Sequence, residues 1–199
     1  MKYCECKGHL IAGSFLMAFV VLFSCNSVTT DDKFAGENKR DTVESSKLSP
    51  NADTSKSSLP LFNDIDGIRS KLSNVGIGEL KEWRDDQIGG YMSITNYYQL
   101  GDELPPNNLA YYLLSDNINY IREVQLVLNI NNQQRKSALN TLANVAKKTY
   151  AALNLPVESR ILTAIKSGRE IEIEKSTYIE KVILQKSNIE SWQLIIISK

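Results

Sequence analysis

The chain has 199 residues with 23 basic and 23 acidic side chains, so its formal net charge is zero. Proteins that bind nucleic acid usually carry a basic excess, and this chain has none. Its one histidine, His9, and its three cysteines, Cys4, Cys6 and Cys25, all lie in the first 25 residues. The rest of the chain therefore lacks the residues for Ser-His-Asp or Cys-His catalysis, His/Cys zinc sites and disulfides. We expect no cofactor and no metal centre.

The first 24 residues have the order of a secretory signal. Lys2 and Lys7 precede an apolar run at residues 10–24, and the small residue Ser24 ends that run. Charged, apolar and small residues in this order are typical of a signal peptide. The run is also shorter than the roughly 20 apolar residues that a transmembrane helix needs. An ordinary cleaved signal and an uncleaved anchor are two ways to interpret this segment.

A third interpretation rests on the end of the segment. Leu22, Phe23, Ser24 and Cys25 resemble the lipobox of bacterial lipoproteins. The resemblance covers only these first 25 residues, and Phe23 is bulkier than the residue usual there. It implies that residues 1–24 are removed as a signal peptide and that Cys25 is acylated. Several acyl chains on one cysteine would hold the protein on a membrane of the bacterial cell envelope.

Residues 25–60 are predicted to form a disordered tether. They consist mainly of Ser, Thr, Asn, Asp and Lys, and Val28, Phe34, Val43 and Leu48 are too scattered to form an apolar face. Such a composition buries too little apolar area to offset the entropy of ordering the chain. As a flexible coil of roughly 35 residues, the tether would span about 30–35 Å. The folded domain is predicted at residues 61–199.

Apolar spacing predicts three helices in this domain. In the first, Asn63 or Asp64 is the cap, Ile65, Ile68, Leu72 and Val75 share one face, and Gly76 and Gly78 end it. The longest is predicted at residues 133–153, and the third begins at Pro156 and stops at Gly168. Residues 79–86 are predicted to be a short helical or irregular piece.

Six segments are predicted to be strands: residues 91–99, 108–114, 120–131, 169–175, 178–185 and 192–198. The clearest is 120–131, because Val124, Leu126 and Leu128 alternate with polar residues. One buried and one wet face indicate an antiparallel sheet. The order of elements predicts an α+β fold, in which helices pack on one face of an antiparallel β-sheet.

Tyrosines are concentrated in one part of the predicted sheet. Six of the nine lie between Tyr91 and Tyr120. The adjacent pairs Tyr97–Tyr98 and Tyr111–Tyr112 must point to opposite faces, so some of these four rings are expected to be exposed. Exposed tyrosines favour the binding of a protein partner or a sugar. Alternatively, they simply suit strands and cross-strand pairing.

Acidic residues give two further candidates. Asp85, Asp86, Asp102 and Glu103 border the tyrosine-rich strands. If their loops met, the carboxylates could bind calcium or act as an acid/base pair, but solvated turn residues are the interpretation we favour. Separately, Glu172 and its alternating neighbours Glu170 and Glu174 are predicted to keep an edge strand soluble and to balance lysines such as Lys181.

The sequence therefore predicts a non-enzymatic, membrane-anchored envelope lipoprotein whose domain binds a protein. An immunity-like role against a secreted toxin would be one form of this function. The alternative is an envelope protein that binds or hydrolyses glycans or small ligands with carboxylates and exposed aromatics.

Overall fold

A computed structural model describes residues 56–199, and the predicted α+β class is confirmed there. Helix α1 spans Ile65–Ser73, α2 spans Arg135–Ala152 and α3 spans Ser159–Ser167, and a 3₁₀ turn, Pro60–Asn63, precedes α1. The strands are β1 Arg84–Asp85, β2 Tyr91–Ile94, β3 Tyr98–Leu100, β4 Asn107–Ser115, β5 Glu123–Ile130, β6 Ile171–Glu174, β7 Tyr178–Lys186 and β8 Glu190–Ser198.

In this part of the chain the strands form one antiparallel sheet in the order β1-β2-β4-β5-β8-β7-β6, with β3 also paired to β4. The predicted strand 91–99 is in fact two strands, β2 and β3. The break lies at Thr95, whose hydroxyl accepts a hydrogen bond from the Tyr111 N–H at 3.0 Å. Thr95 is buried, so a side chain replaces a backbone acceptor and the chain bends before β3 begins.

The hydrophobic core lies between the helices and one face of the sheet, which we call the inner face. Core side chains alternate along the strands, as with Leu126 and Leu128 on β5 or Leu194 and Ile196 on β8. They pack with buried residues of all three helices in a single cluster. The helices therefore pack on the inner face, and the opposite, outer face contributes nothing to that core.

The helix predictions agree with the structure except near their ends. Asp64 caps α1, because its carboxylate accepts a hydrogen bond from the Gly67 N–H at 3.0 Å. Helix α3 ends at Gly168, which has the left-handed φ of 58° that glycine tolerates best. It begins at Ser159, so Pro156 and the exposed Val157 precede it. Residues 79–86 form no helix and instead contain β1.

The packed part of the chain begins before residue 61. Ser57 and Leu59, which the sequence analysis placed in the tether, are both buried. The Ser198 hydroxyl on β8 accepts a hydrogen bond from the Leu59 N–H at 3.2 Å. A lone leucine in a polar segment gives no periodic signal, which explains the difference. The rest of the predicted tether and the signal peptide lie outside the described residues, and within 56–199 no helix has the length and apolarity to cross a bilayer.

Candidate interaction surface

The structure separates the four candidate tyrosines. Tyr112, on β4, points to the outer face, and its hydroxyl lies 3.1 Å from that of the exposed Tyr97. Burial and this contact raise the pKa of Tyr112 to about 12. Tyr111 and Tyr98 point to the other side of the sheet. The prediction that adjacent tyrosines face opposite ways is thus confirmed for both pairs.

Tyr111 is not available to a partner. It is completely buried, and its hydroxyl lies 2.5 Å from that of Thr149 on α2. Its role is to attach the inner face of the sheet to a helix. Tyr111 is therefore no longer a candidate binding residue. Tyr97 and Tyr112 lie side by side on the outer face, and Tyr98 lies on the opposite side of the sheet.

Tyr98 borders a cavity of about 380 Å³ on the helix side of the sheet. Its ring is 46 % exposed, and the opposite wall is the start of α2, including Gln134 and Thr141. Glu103 is the only acidic residue among those lining it. Glycosidases use a pair of carboxyl groups, so this cavity offers an aromatic surface and polar groups without such a pair.

The outer face of the sheet is rich in aliphatic side chains. Four isoleucines cluster on β7 and β8: Ile179, Ile183, Ile195 and Ile197. We call them the isoleucine cluster. On the far side of β5, a second group comprises Met92, Ile94 and Leu114, with Tyr112 beside them, and we call this the β2–β4 cluster. Ala110 and Val127 lie between the two. Ala110, Val127 and Ile195 are buried and the others are half-buried, and none belongs to the core cluster between the helices and the inner face.

Polar side chains on the outer face are largely paired with one another. The partners are Asn129 with Asn108 at 2.9 Å, Gln193 with Gln185 at 2.9 Å, Gln125 with Glu123 at 2.9 Å, Lys181 with Glu172 at 2.9 Å and Lys199 with Glu174 at 2.6 Å. The predicted pairing of Lys181 with an acidic neighbour is thereby confirmed. Because these polar groups already have partners, covering the face would leave few of them without a hydrogen bond.

The acidic loops do not meet. Asp86 lies beside Ser115 at one end of β4, whereas Glu103 lies near Asn107 at the other. A nine-residue strand separates these ends by about 26 Å. Asp86 acts in the β1–β2 turn, where it accepts hydrogen bonds from the Ile88 and Gly90 N–H groups at 2.9 and 2.8 Å. These bonds lower its pKa. Within residues 56–199, no cluster of acidic side chains has the arrangement of a metal site.

One buried acid was missed by the sequence analysis. Glu180, on β7, points to the inner face and is inaccessible to solvent. Among the described residues no donor makes a hydrogen bond to either carboxylate oxygen, and the nearby Tyr150 hydroxyl also lacks a partner. Burial raises the pKa of Glu180, and Tyr150 and Lys175 offset part of the rise. Because Glu180 is sealed from solvent, it offers no surface to a substrate.

The outer face itself left a signal in the sequence. Residues 194–197 read Leu-Ile-Ile-Ile without a polar interruption. Strands buried on both faces show such continuous apolar runs, whereas strands with one wet face alternate. Ile195 and Ile197 therefore mark the outer face of β8 as a surface suited to burial.

In the comparisons with known proteins, no protein-family model, curated protein or solved structure matches this chain.

Proposed function

We propose that this chain is an envelope lipoprotein, held on a membrane through Cys25, whose α+β domain binds a protein through the outer face of its sheet. The observation that carries the proposal is the outer face itself, with two aliphatic clusters outside the core and polar side chains already paired. The side chains at the edges of these clusters are half-buried, and contiguous apolar surface of this kind marks interaction sites on soluble domains.

The composition of the outer face fits a protein better than a nucleic acid or a charged ligand. Its two lysines, Lys181 and Lys199, pair with Glu172 and Glu174, and Glu123 accepts a hydrogen bond from the Gln125 amide. Its centre is aliphatic, and Tyr97 and Tyr112 form an aromatic border. Protein interfaces typically combine an apolar centre, depleted of charge, with aromatic residues and a polar rim.

The positions of the candidate carboxylates support a non-enzymatic role. The carboxylates considered for catalysis lie at opposite ends of β4, and Asp86 serves a turn. The lipid anchor rests on the resemblance of residues 22–25 to a lipobox. A flexible tether would let the domain reach a partner in the same envelope compartment.

Crosslinking in intact cells tests both parts of the proposal. The wild type should give a defined protein adduct in the membrane fraction. The Cys25→Ala variant should show no fatty-acid labelling and should no longer be found in the membrane fraction. The double variant Ile183→Lys/Ile197→Lys should stay on the membrane but give at least tenfold less adduct. Ile88→Lys, at an exposed position in the β1–β2 turn, is the matched control and should behave as wild type. Equal adduct from wild type and double variant would contradict binding through the outer face.

The Tyr98 cavity supports a second candidate, the binding of a sugar. The half-exposed ring of Tyr98 could stack on a sugar ring, and the amide and hydroxyl side chains that line the cavity could bind the sugar's hydroxyl groups. This candidate would gain support if glycan binding were lost in Tyr98→Ala and retained in the outer-face double variant.

A further inference from the structure

We infer that the protein bound by the outer face is a second copy of this chain, which packs sheet against sheet to form a symmetric dimer. This inference rests on the proposed function, because it names the partner of the same surface. It begins with the arrangement of apolar residues around β5.

The two aliphatic clusters flank β5 symmetrically. Strands β4 and β2 lie on one side of it, and β8 and β7 lie on the other. Residues of the two clusters stand in the same cross-strand rows. One row runs Met92, Leu114, Glu123, Ile197, Ile179. The two clusters therefore lie at about the same distance from β5, on opposite sides of it.

A two-fold axis along β5, between two facing sheets, would exchange these sides. The isoleucine cluster of one copy would then lie on the β2–β4 cluster of the other, with Ile179 opposite Met92 and Ile197 opposite Leu114. The reverse contacts form at the same time. Symmetric dimers are built on self-complementary patches of this kind. Facing sheets pack about 10 Å apart with their strands within about 30° of each other.

Size and charge also fit a dimer. The footprint is about 680 Å² per copy, from four strands of eight or nine residues and two of four residues at about 4.8 Å per strand and 3.3 Å per residue. Two copies would bury about 1,360 Å², which is within the range of specific interfaces. Lys181 and Lys199 already pair with acids on the same face, so the like charges that the axis brings together are the two copies of Glu123, each of which accepts a hydrogen bond from a Gln125 amide.

The continuous apolar run on β8 adds an independent reason. The outer positions of residues 194–197 are as aliphatic as the inner ones, so the strand has the composition of one buried on both faces. A membrane anchor would favour the dimer further, because confinement raises the effective concentration of one copy near another.

Two differently tagged full-length chains, produced in the same cells, test the inference. Purification through one tag should recover the other. Met92→Lys in both copies should reduce this recovery at least tenfold, and so should Ile179→Glu in both copies. Combining one Met92→Lys copy with one Ile179→Glu copy should restore recovery, because the new charges face each other. Ile88→Lys should have no effect, and circular dichroism melting confirms that each variant folds.

A photocrosslinking amino acid in place of Ile183 separates this inference from the proposed function. An adduct of twice the chain mass, containing only this chain, supports the dimer. An adduct with a different protein overturns the dimer but leaves the proposed function standing. Failure of the two charged variants to restore recovery also overturns the symmetric arrangement. If outer-face positions give no protein adduct at all, both the dimer and the proposed function are wrong.

Discussion

Replacing Glu180 with leucine is expected to stabilise the domain at neutral pH by about 1–3 kcal/mol. The carboxylate is inaccessible to solvent, and although the Tyr150 hydroxyl lies close enough to lower its pKa, neither oxygen has a hydrogen bond of normal geometry among the described residues. Leaving a buried polar group without a partner costs about 1–3 kcal/mol, and more when the group is charged. Leucine has a similar shape and no polar atoms, so it removes this cost. Chemical denaturation at pH 7 measures the change in the free energy of unfolding.

The effect should depend on pH with a defined sign. Burial raises the pKa of folded Glu180, while Tyr150, Lys175 and Arg160 lower it and Glu158 raises it. Tyr178 also faces the carboxylate. Below the unfolded pKa of a glutamic acid, about 4.3, the carboxyl group is neutral in both states and its ionisation adds no cost. It destabilises the fold as the pH rises through the folded pKa. The advantage of Glu180→Leu should therefore be smallest near pH 4, where only the unpartnered neutral group is removed, and largest above the folded pKa.

Glu180→Gln is the matched control, because it keeps the shape and removes only the charge. It should abolish the pH dependence of the difference from wild type and yield a smaller gain at pH 7, since its amide is still unpartnered. A leucine variant that is less stable than wild type at pH 7 would contradict this prediction. It would mean that a group outside the described residues satisfies the carboxylate.

Phe62→Ala is expected to lower the free energy of unfolding by about 3–5 kcal/mol, the usual loss for a buried phenylalanine. Phe62 is fully buried in the 3₁₀ turn before α1. Its carbonyl accepts a hydrogen bond from the Ile121 N–H at 2.8 Å, which joins this turn to the chain entering β5. The side chain thus belongs to the core that also contains Leu59 and the helices.

The comparison of two leucines locates the start of the folded domain. Leu59→Ala should destabilise the protein by about 2 kcal/mol, because Leu59 is buried. Leu104→Ala should change stability by less than about 0.5 kcal/mol, because Leu104 is 89 % exposed. Denaturation curves of the two variants provide the measurement. Equal effects would mean that residues 56–60 act as tether, as their composition alone predicts.

Most of the fold could be predicted from local patterns. The helices and β5 have one-sided apolar faces, so the alternation itself identifies which side is buried. On β7 this reasoning fails, because both alternating sets are apolar with one charge: Tyr178, Glu180 and Val182 on one face, Ile179, Lys181 and Ile183 on the other. Only packing against Tyr150 and the helices decides that Glu180 faces inward. The buried acid was therefore invisible in the sequence.

The candidate surface was predictable in part. The opposite orientation of adjacent tyrosines follows from strand geometry, but which ring of each pair is exposed depends on the neighbouring layers. The break at Thr95 depends on a hydrogen bond to Tyr111, sixteen residues away. No local pattern encodes such a contact. The aliphatic outer face arises only when the register brings Ile179 beside Ile197 across two strands.

Cysteine accessibility in intact cells tests most directly whether a protein covers the outer face. Ile183→Cys lies on that face, and Ile88→Cys is the exposed reference in the β1–β2 turn. Each labelling rate by a maleimide is divided by the rate for the same purified variant at low concentration, which removes differences in intrinsic exposure. A ratio at least tenfold lower for Ile183→Cys than for Ile88→Cys is the expected result. Equal ratios would show that the outer face is open in the cell and would contradict the proposed function.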